Sequence, residues 1–190
     1  MQFKRHKELE GLHAPYSPSQ SSWLRYDDKK AVSVHKKKKS AMMGTRLHAW
    51  AKETIDLGIK QPDSTNTLSA YVNDAIGFKM TTEVVLYYSD RFFGTADAIC
   101  YRKNADGRYI LRIHDLKTGE EKASMEQLEV YAALFCLEYK IRPGDIDMEL
   151  RIYQSNQVFY HNPTAEDIAP IMDKIVHTDK LLEKIDLGED

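Results

Sequence analysis

Apolar side chains recur along this chain with two different periods, and the change of period divides it. Between about Ser40 and Leu57, Leu47, Trp50, Ala51 and Ile55 fall three or four residues apart, which lines one face of a helix, and Gly58 suits its end. Upstream, Ser17-Pro18 reads as a cap and first-turn proline opening a short helix through Trp23 and Leu24. Residues 60–70 are rich in Gln, Pro, Asp, Ser, Thr and Asn and read as a loop. From Thr81 the pattern predicts three β runs, about Thr82–Tyr88, Phe92–Tyr101 and Tyr109–Leu116. A helix over about Ala123–Tyr139 follows, with Leu128, Tyr131, Ala132 and Phe135 on its apolar side. Arg142-Pro143-Gly144 breaks the chain, Met148–Tyr153 and Val158–Tyr160 form a hairpin turning at Ser155-Asn156, and Thr164 caps a final acidic helix. Helix, three strands, helix and more strand make an α/β domain with a mixed sheet flanked by helices.

Length and composition fit one folded domain. The chain has 190 residues, 42% hydrophobic and 29% charged, enough for a core and against disorder. No stretch has the roughly 20 apolar residues of a membrane span, and no apolar segment follows the basic start as in a secretory signal. No membrane partner and an intracellular, cytoplasmic location are therefore expected. Two cysteines, Cys100 and Cys136, are too few for a four-thiolate zinc or iron–sulfur site.

Charge is unevenly placed. Residues 1–40 hold ten of the 27 Lys and Arg but four of the 29 Asp and Glu, a net of +6, leaving −8 on the rest. A basic arm (1–40), a core (41–162) and an acidic C-terminal helix (163–190) of the same domain are the expected organisation. Lys36, Lys37, Lys38 and Lys39 are candidates for a polyanion, the alternative being a solvated linker.

Strand geometry gathers the candidate chemistry. Asp115 and Lys117 are two apart and share a face. The turn Asn104-Ala105-Asp106-Gly107 has the composition of a type I turn with a left-handed glycine, which pairs residue 104 with residue 108. Opposing positions then add to 212, which sets Asp97 across from Asp115 and Lys117 across from Thr95. A three-residue loop at Ser89-Asp90-Arg91 would make the previous pair add to 180, setting Glu83 across from Asp97. Carboxylates so close repel, and a hard divalent cation such as Mg²⁺ or Mn²⁺ removes the repulsion. A surface ion pair between Asp115 and Lys117 is the plain alternative.

The blocks Gly94-Thr95-Ala96-Asp97-Ala98-Ile99 and His114-Asp115-Leu116-Lys117-Thr118-Gly119, then Gln127 and Tyr131, with Gly44-Thr45-Arg46-Leu47-His48 upstream, resemble the RecB-type branch of the PD-(D/E)XK nucleases, closest in flavour to small exonucleases of bacteriophages. The resemblance spans residues 44–131. It implies a restriction-endonuclease-like core, Asp97 and Asp115 as metal ligands, and Lys117 as catalytic lysine. It further implies ligation by the backbone carbonyl of Leu116 and by His48, an additional acid at Glu83, and substrate positioning by Gln127 and Tyr131. The expected activity is Mg²⁺- or Mn²⁺-dependent hydrolysis of DNA, as an exonuclease in recombination, repair or processing, in the host cytoplasm if phage-encoded. Lys36–Lys39 would contact DNA phosphates. Many relatives of this branch carry an iron–sulfur cluster, and two cysteines cannot build one. A helicase or recombination partner would be a separate chain, and monomer and oligomer are both open. The rival function is a catalytically silent nucleic-acid-binding subunit of the same fold.

Overall fold

The runs with alternating polarity are strands. In a computed structural model, which describes residues 7, 14, 16–62, 66–119 and 124–188, they are β1 (Thr81–Ser89), β2 (Phe92–Lys103) and β3 (Tyr109–Lys117). With β4 (Ile146–Gln154) and β5 (Gln157–His161) they form a five-stranded sheet in chain order. All neighbours are antiparallel except β3 and β4, which run parallel. A parallel neighbour needs a crossover, and the helix Glu126–Tyr139 supplies it. The molecule is thus α/β, a mixed sheet flanked by helices.

Among the described residues four α-helices accompany the sheet, α1 (Asp28–Asp56), α2 (Thr67–Gly77), α3 (Glu126–Tyr139) and α4 (Ala165–Asp186), with 3-10 turns at Pro18–Arg25 and Pro143–Asp145. None of the described helices is long and apolar enough to cross a membrane. The chain divides into two units, Met1–Thr45 and Arg46–Asp190, the division falling inside α1. Residues 1–6 and 120–123, where the sequence puts part of the basic arm and the start of a helix at Ala123, lie outside the described residues.

Two readings of the pattern are corrected. α1 begins at Asp28, twelve residues before the expected start, so the lysine run is inside the helix and not ahead of it. Lysine is a good helix former, and nothing between Asp28 and Ser40 is a glycine or proline that would stop the helix. The expected loop over 60–70 ends early, because Asn66 accepts a hydrogen bond from the Leu68 N–H (2.9 Å) and caps α2. The polar residues that suggested loop include the cap itself.

One core lies between the sheet and α3 with α4. There Leu86, Ala96, Leu111, Ile113, Leu150 and Ile152 meet Leu128, Ala132, Phe135, Ile168 and Ile175. A second lies on the other face, where Ala98, Leu116 and Tyr153 meet Ala51 and Ile55 of α1 and Tyr71, Val72 and Ala75 of α2. Thr164 and Asp167 cap α4 reciprocally, as the sequence suggests for that terminus.

Candidate functional site

The site stands where the sheet divides. At Asn104–Arg108 the turn is as expected, with Gly107 left-handed (φ 88) and Asn104 N–H bonded to the Arg108 carbonyl. From it β2 and β3 pair in the predicted register as far as Ala98↔His114. Beyond that point Phe92–Ala96 pair with β1 and Asp115–Lys117 with β4. The sheet forks, and Asp97 and Asp115 are the first residues past the split on either prong.

Asp97 also sits where β2 turns over. Ala96 packs in the α3-side core and Ala98, two positions on, in the α1/α2-side core, although regular alternation would leave both on one face. β1 turns over at the same level. Val84 and Leu86 meet the α3 side, whereas the Thr82 hydroxyl bonds Asp56 of α1 (2.6 Å). Between them Glu83 has φ 52, in the left-handed region. Positions in this pair add to 180 from Thr81 to Tyr87, as predicted, but the turn differs. Ser89 pairs with Phe92 around a two-residue turn, and an irregularity between Tyr87 and Ser89 absorbs the extra residue. Glu83 is thus at the level of Asp97, but exposed on solvent and skipped in the pairing.

Each prong is tied to α3. Gly94 lies beneath the Tyr131 ring: a Cβ there would stand 2.9 Å from Cε1. On the other prong Lys117 Nζ donates to Gln127 Oε1 (2.8 Å) and to Asp115 Oδ1 (3.1 Å), and Gln127 Nε2 is 3.5 Å from the Tyr131 hydroxyl. One helical turn separates Gln127 from Tyr131, which sets each over one side of the fork. Asp97 fills the opening between the strands, its Oδ2 accepting the Leu116 N–H (3.0 Å) with His48 Nδ1 of α1 at 3.4 Å.

Of the two aspartates, Asp115 is short of partners. Asp115 is 4% exposed, so a surface ion pair is not its setting, and its Oδ2 has no hydrogen-bond partner. Burial pushes its pKa up, against the pull of Lys117. Burial, and then the charge of Asp115, push Asp97 up to about 6, against the Leu116 N–H and His48, while Glu83 adds a further push. Buried carboxylates raised in this way accommodate added positive charge.

The structure therefore brings together Asp97, Asp115, Lys117, Gln127, Tyr131 and His48, and leaves Glu83 at the margin. It does not gather a full ligand set: among the described residues, no three His, Cys, Asp or Glu side chains form a group that could hold a metal ion. Lys117 occupies one oxygen of Asp115, and Leu116 N–H and His48 both address Oδ2 of Asp97. Lys36–Lys39 belong to the other unit. There Lys38 lies over the Tyr16 ring (5.0 Å to its centroid).

Sequence reasoning missed Tyr71. It is 3% exposed on α2, and burial first, then the charges of Asp97 and Asp115, push its pKa far up. Its position was hidden because α2 follows a turn-rich segment. Also missed was the network behind His114, where Glu149 takes hydrogen bonds from Arg112 (3.1 Å) and Arg151 (3.0 Å), and Asp74 from Arg151 (2.8 Å) and Tyr153 (2.6 Å). Charged residues on alternate positions of β3 and β4 read as solvent-facing in isolation, whereas Asp74 of α2, the Phe78 ring just after it and Tyr160 of β5 lie against them.

Compared with protein-family models, with curated proteins and with solved structures, the chain matches none.

Proposed function

We propose that this protein is a divalent-metal-dependent DNA nuclease, of the PD-(D/E)XK type that its motifs resemble, acting as an exonuclease. One observation carries the reading: Asp97 and Asp115 flank the fork of the sheet, with a buried, unpartnered carboxylate oxygen on Asp115 and a lysine fixed beside it. Folding alone gives no reason to bury one acid and half-bury a second that repels it.

Asp97 and Asp115 would hold Mg²⁺ or Mn²⁺, with His48 and the Leu116 carbonyl completing the set after a local adjustment of side chains. Such an ion supplies charge neutralisation at the phosphate and a water acidic enough to attack near neutral pH. The chain's own residues do the rest. Lys117 presents its ammonium at the fork, where it neutralises charge on the phosphate in the transition state. Gln127 aims that ammonium, and Tyr131, held against Gly94, keeps Gln127 in place. Asp97, partly neutral near pH 6, becomes a better ligand as pH rises.

The test is degradation of end-labelled linear and closed circular DNA with Mn²⁺, Mg²⁺ or EDTA, wild type beside Lys117→Ala. Metal-dependent loss of linear DNA by wild type alone supports the nuclease, and sparing of the circle supports an exonuclease. Equal inertness of both proteins with every metal, with DNA binding intact, replaces the nuclease by a binding subunit of the same fold.

A further inference from the structure

We propose that Tyr87 and Phe93, on the open face of the β1–β2 prong, form a stacking platform for the bases of a single DNA strand whose backbone enters the fork at Asp97. The proposal rests on the nuclease reading and gives its site a substrate class, a single-stranded or frayed end.

The pair faces solvent for a structural reason. Gly94 and Ala96 turn toward α3, so alternation sends Phe93 and Thr95 to the opposite face, and Val85 and Tyr87 follow in register. Phe93 is 60% exposed, Val85 54% and Tyr87 45%, a cluster of large apolar groups that folding leaves uncovered. Tyr87 and Phe93 are directly paired across the strands, their centroids 6.5 Å apart and their planes tilted by 31°. The Tyr87 ring is held by its hydroxyl, which donates to Asp90 Oδ1 (2.9 Å). A rigid exposed aromatic pair suits a base, since every base has a π-face, and needs no particular sequence.

Two features favour a nucleic acid over a protein strand. The outer edge of β1 is closed at this point, because the Tyr87 N–H donates to Glu138 Oε2 (2.8 Å), so an added strand would find that donor taken. The platform is also continuous with the site. Asp97 lies four residues along β2 from Phe93, about 13 Å, short enough for one DNA strand to be held at both points. Although the strand turns over there, the Asp97 carboxylate meets His48 of α1, which packs on the face opposite α3.

Binding is measured by fluorescence anisotropy in EDTA, with a labelled oligothymidylate and an abasic oligomer of equal length as probes. The wild type is expected to bind the thymidylate about ten-fold more tightly than the abasic strand. Phe93→Leu and Tyr87→Leu, which keep apolar bulk, should each remove most of that preference while leaving abasic binding unchanged, and Phe93→Trp should restore it. Absence of any base preference in the wild type, or its persistence in both leucine variants, overturns the platform. So does sedimentation showing that the leucine variants disperse an oligomer of the wild type, which would make the patch a contact between copies. The readout is independent of cleavage: a base preference without hydrolysis by any metal sinks the nuclease and leaves the platform, and hydrolysis without base preference does the reverse.

Discussion

Asp97 is held in the fold at a cost that depends on pH. Its pKa lies near 6 in the native state against an ordinary 3.8, because burial and Asp115 oppose its charge. Between those values the folded chain binds more protons than the unfolded one, so stability falls as pH rises through the window and stays low above it. Asp97→Asn keeps an oxygen for the Leu116 N–H and removes the charge. The variant should match wild type in stability near pH 4 and exceed it above pH 7, by up to about 3 kcal/mol. Denaturant unfolding at the two pH values checks this, and an unchanged gap between the proteins would remove the strain from Asp97. Millimolar Mn²⁺ at pH 8 should raise the melting temperature of the wild type, since a cation bound only by the native state relieves the same repulsion, and leave Asp97→Asn nearly unmoved. A shift of equal size in both proteins would place any bound metal elsewhere.

At the scale of elements, the tie between β2 and α3 is a glycine under a tyrosine. Gly94→Ala puts a methyl 2.9 Å from Tyr131 Cε1, and the ring must move. The expected loss is about 1–3 kcal/mol of stability, together with a fall in DNA hydrolysis as Gln127 is left without its neighbour. In a Tyr131→Ala background the same substitution should cost little, and a double-mutant cycle by urea unfolding measures the difference. Additive costs would mean the two residues do not act through each other. This packing was invisible in the sequence, where Gly94 reads only as part of a motif and Tyr131 as an apolar helix position or, through the resemblance, a substrate-positioning residue, with nothing to join the two. The β2–β3 register, by contrast, was legible, because Asn104 to Gly107 have the composition of a type I turn with a left-handed glycine, and that turn fixes every pairing back to Ala98↔His114. The fork itself was not. Regular alternation would continue the ladder through Asp97 and Asp115, and the turnover at Glu83 and Asp97 depends on packing from both faces at once. α2 was missed for a related reason, since Asn66 serves equally as loop residue and helix cap.

For the molecule as a whole, the distribution of charge bears on how a polyanion is held. Lysines in an unbroken helix are spread around it, about 100° apart for each residue. On α1, Lys29 and Lys36 therefore share one side, with Lys30, Lys37 and Lys39 flanking them, while Lys38 points the opposite way, toward Tyr16. The four consecutive lysines cannot all meet one phosphate backbone, as the sequence alone suggested. Neutralising one lysine that pairs with a phosphate should lower the slope of log Kd against log salt by about 0.9 for duplex DNA. Replacing Lys36, Lys37 and Lys39 together by Gln should thus weaken duplex binding and flatten that slope by about two to three. Lys38→Gln should leave the slope within error of wild type. Titrations at several salt concentrations in EDTA read both results. If Lys38→Gln flattens the slope as much per residue as its neighbours, the lysines reach DNA without helical order, and α1 contributes charge to the complex but no geometry.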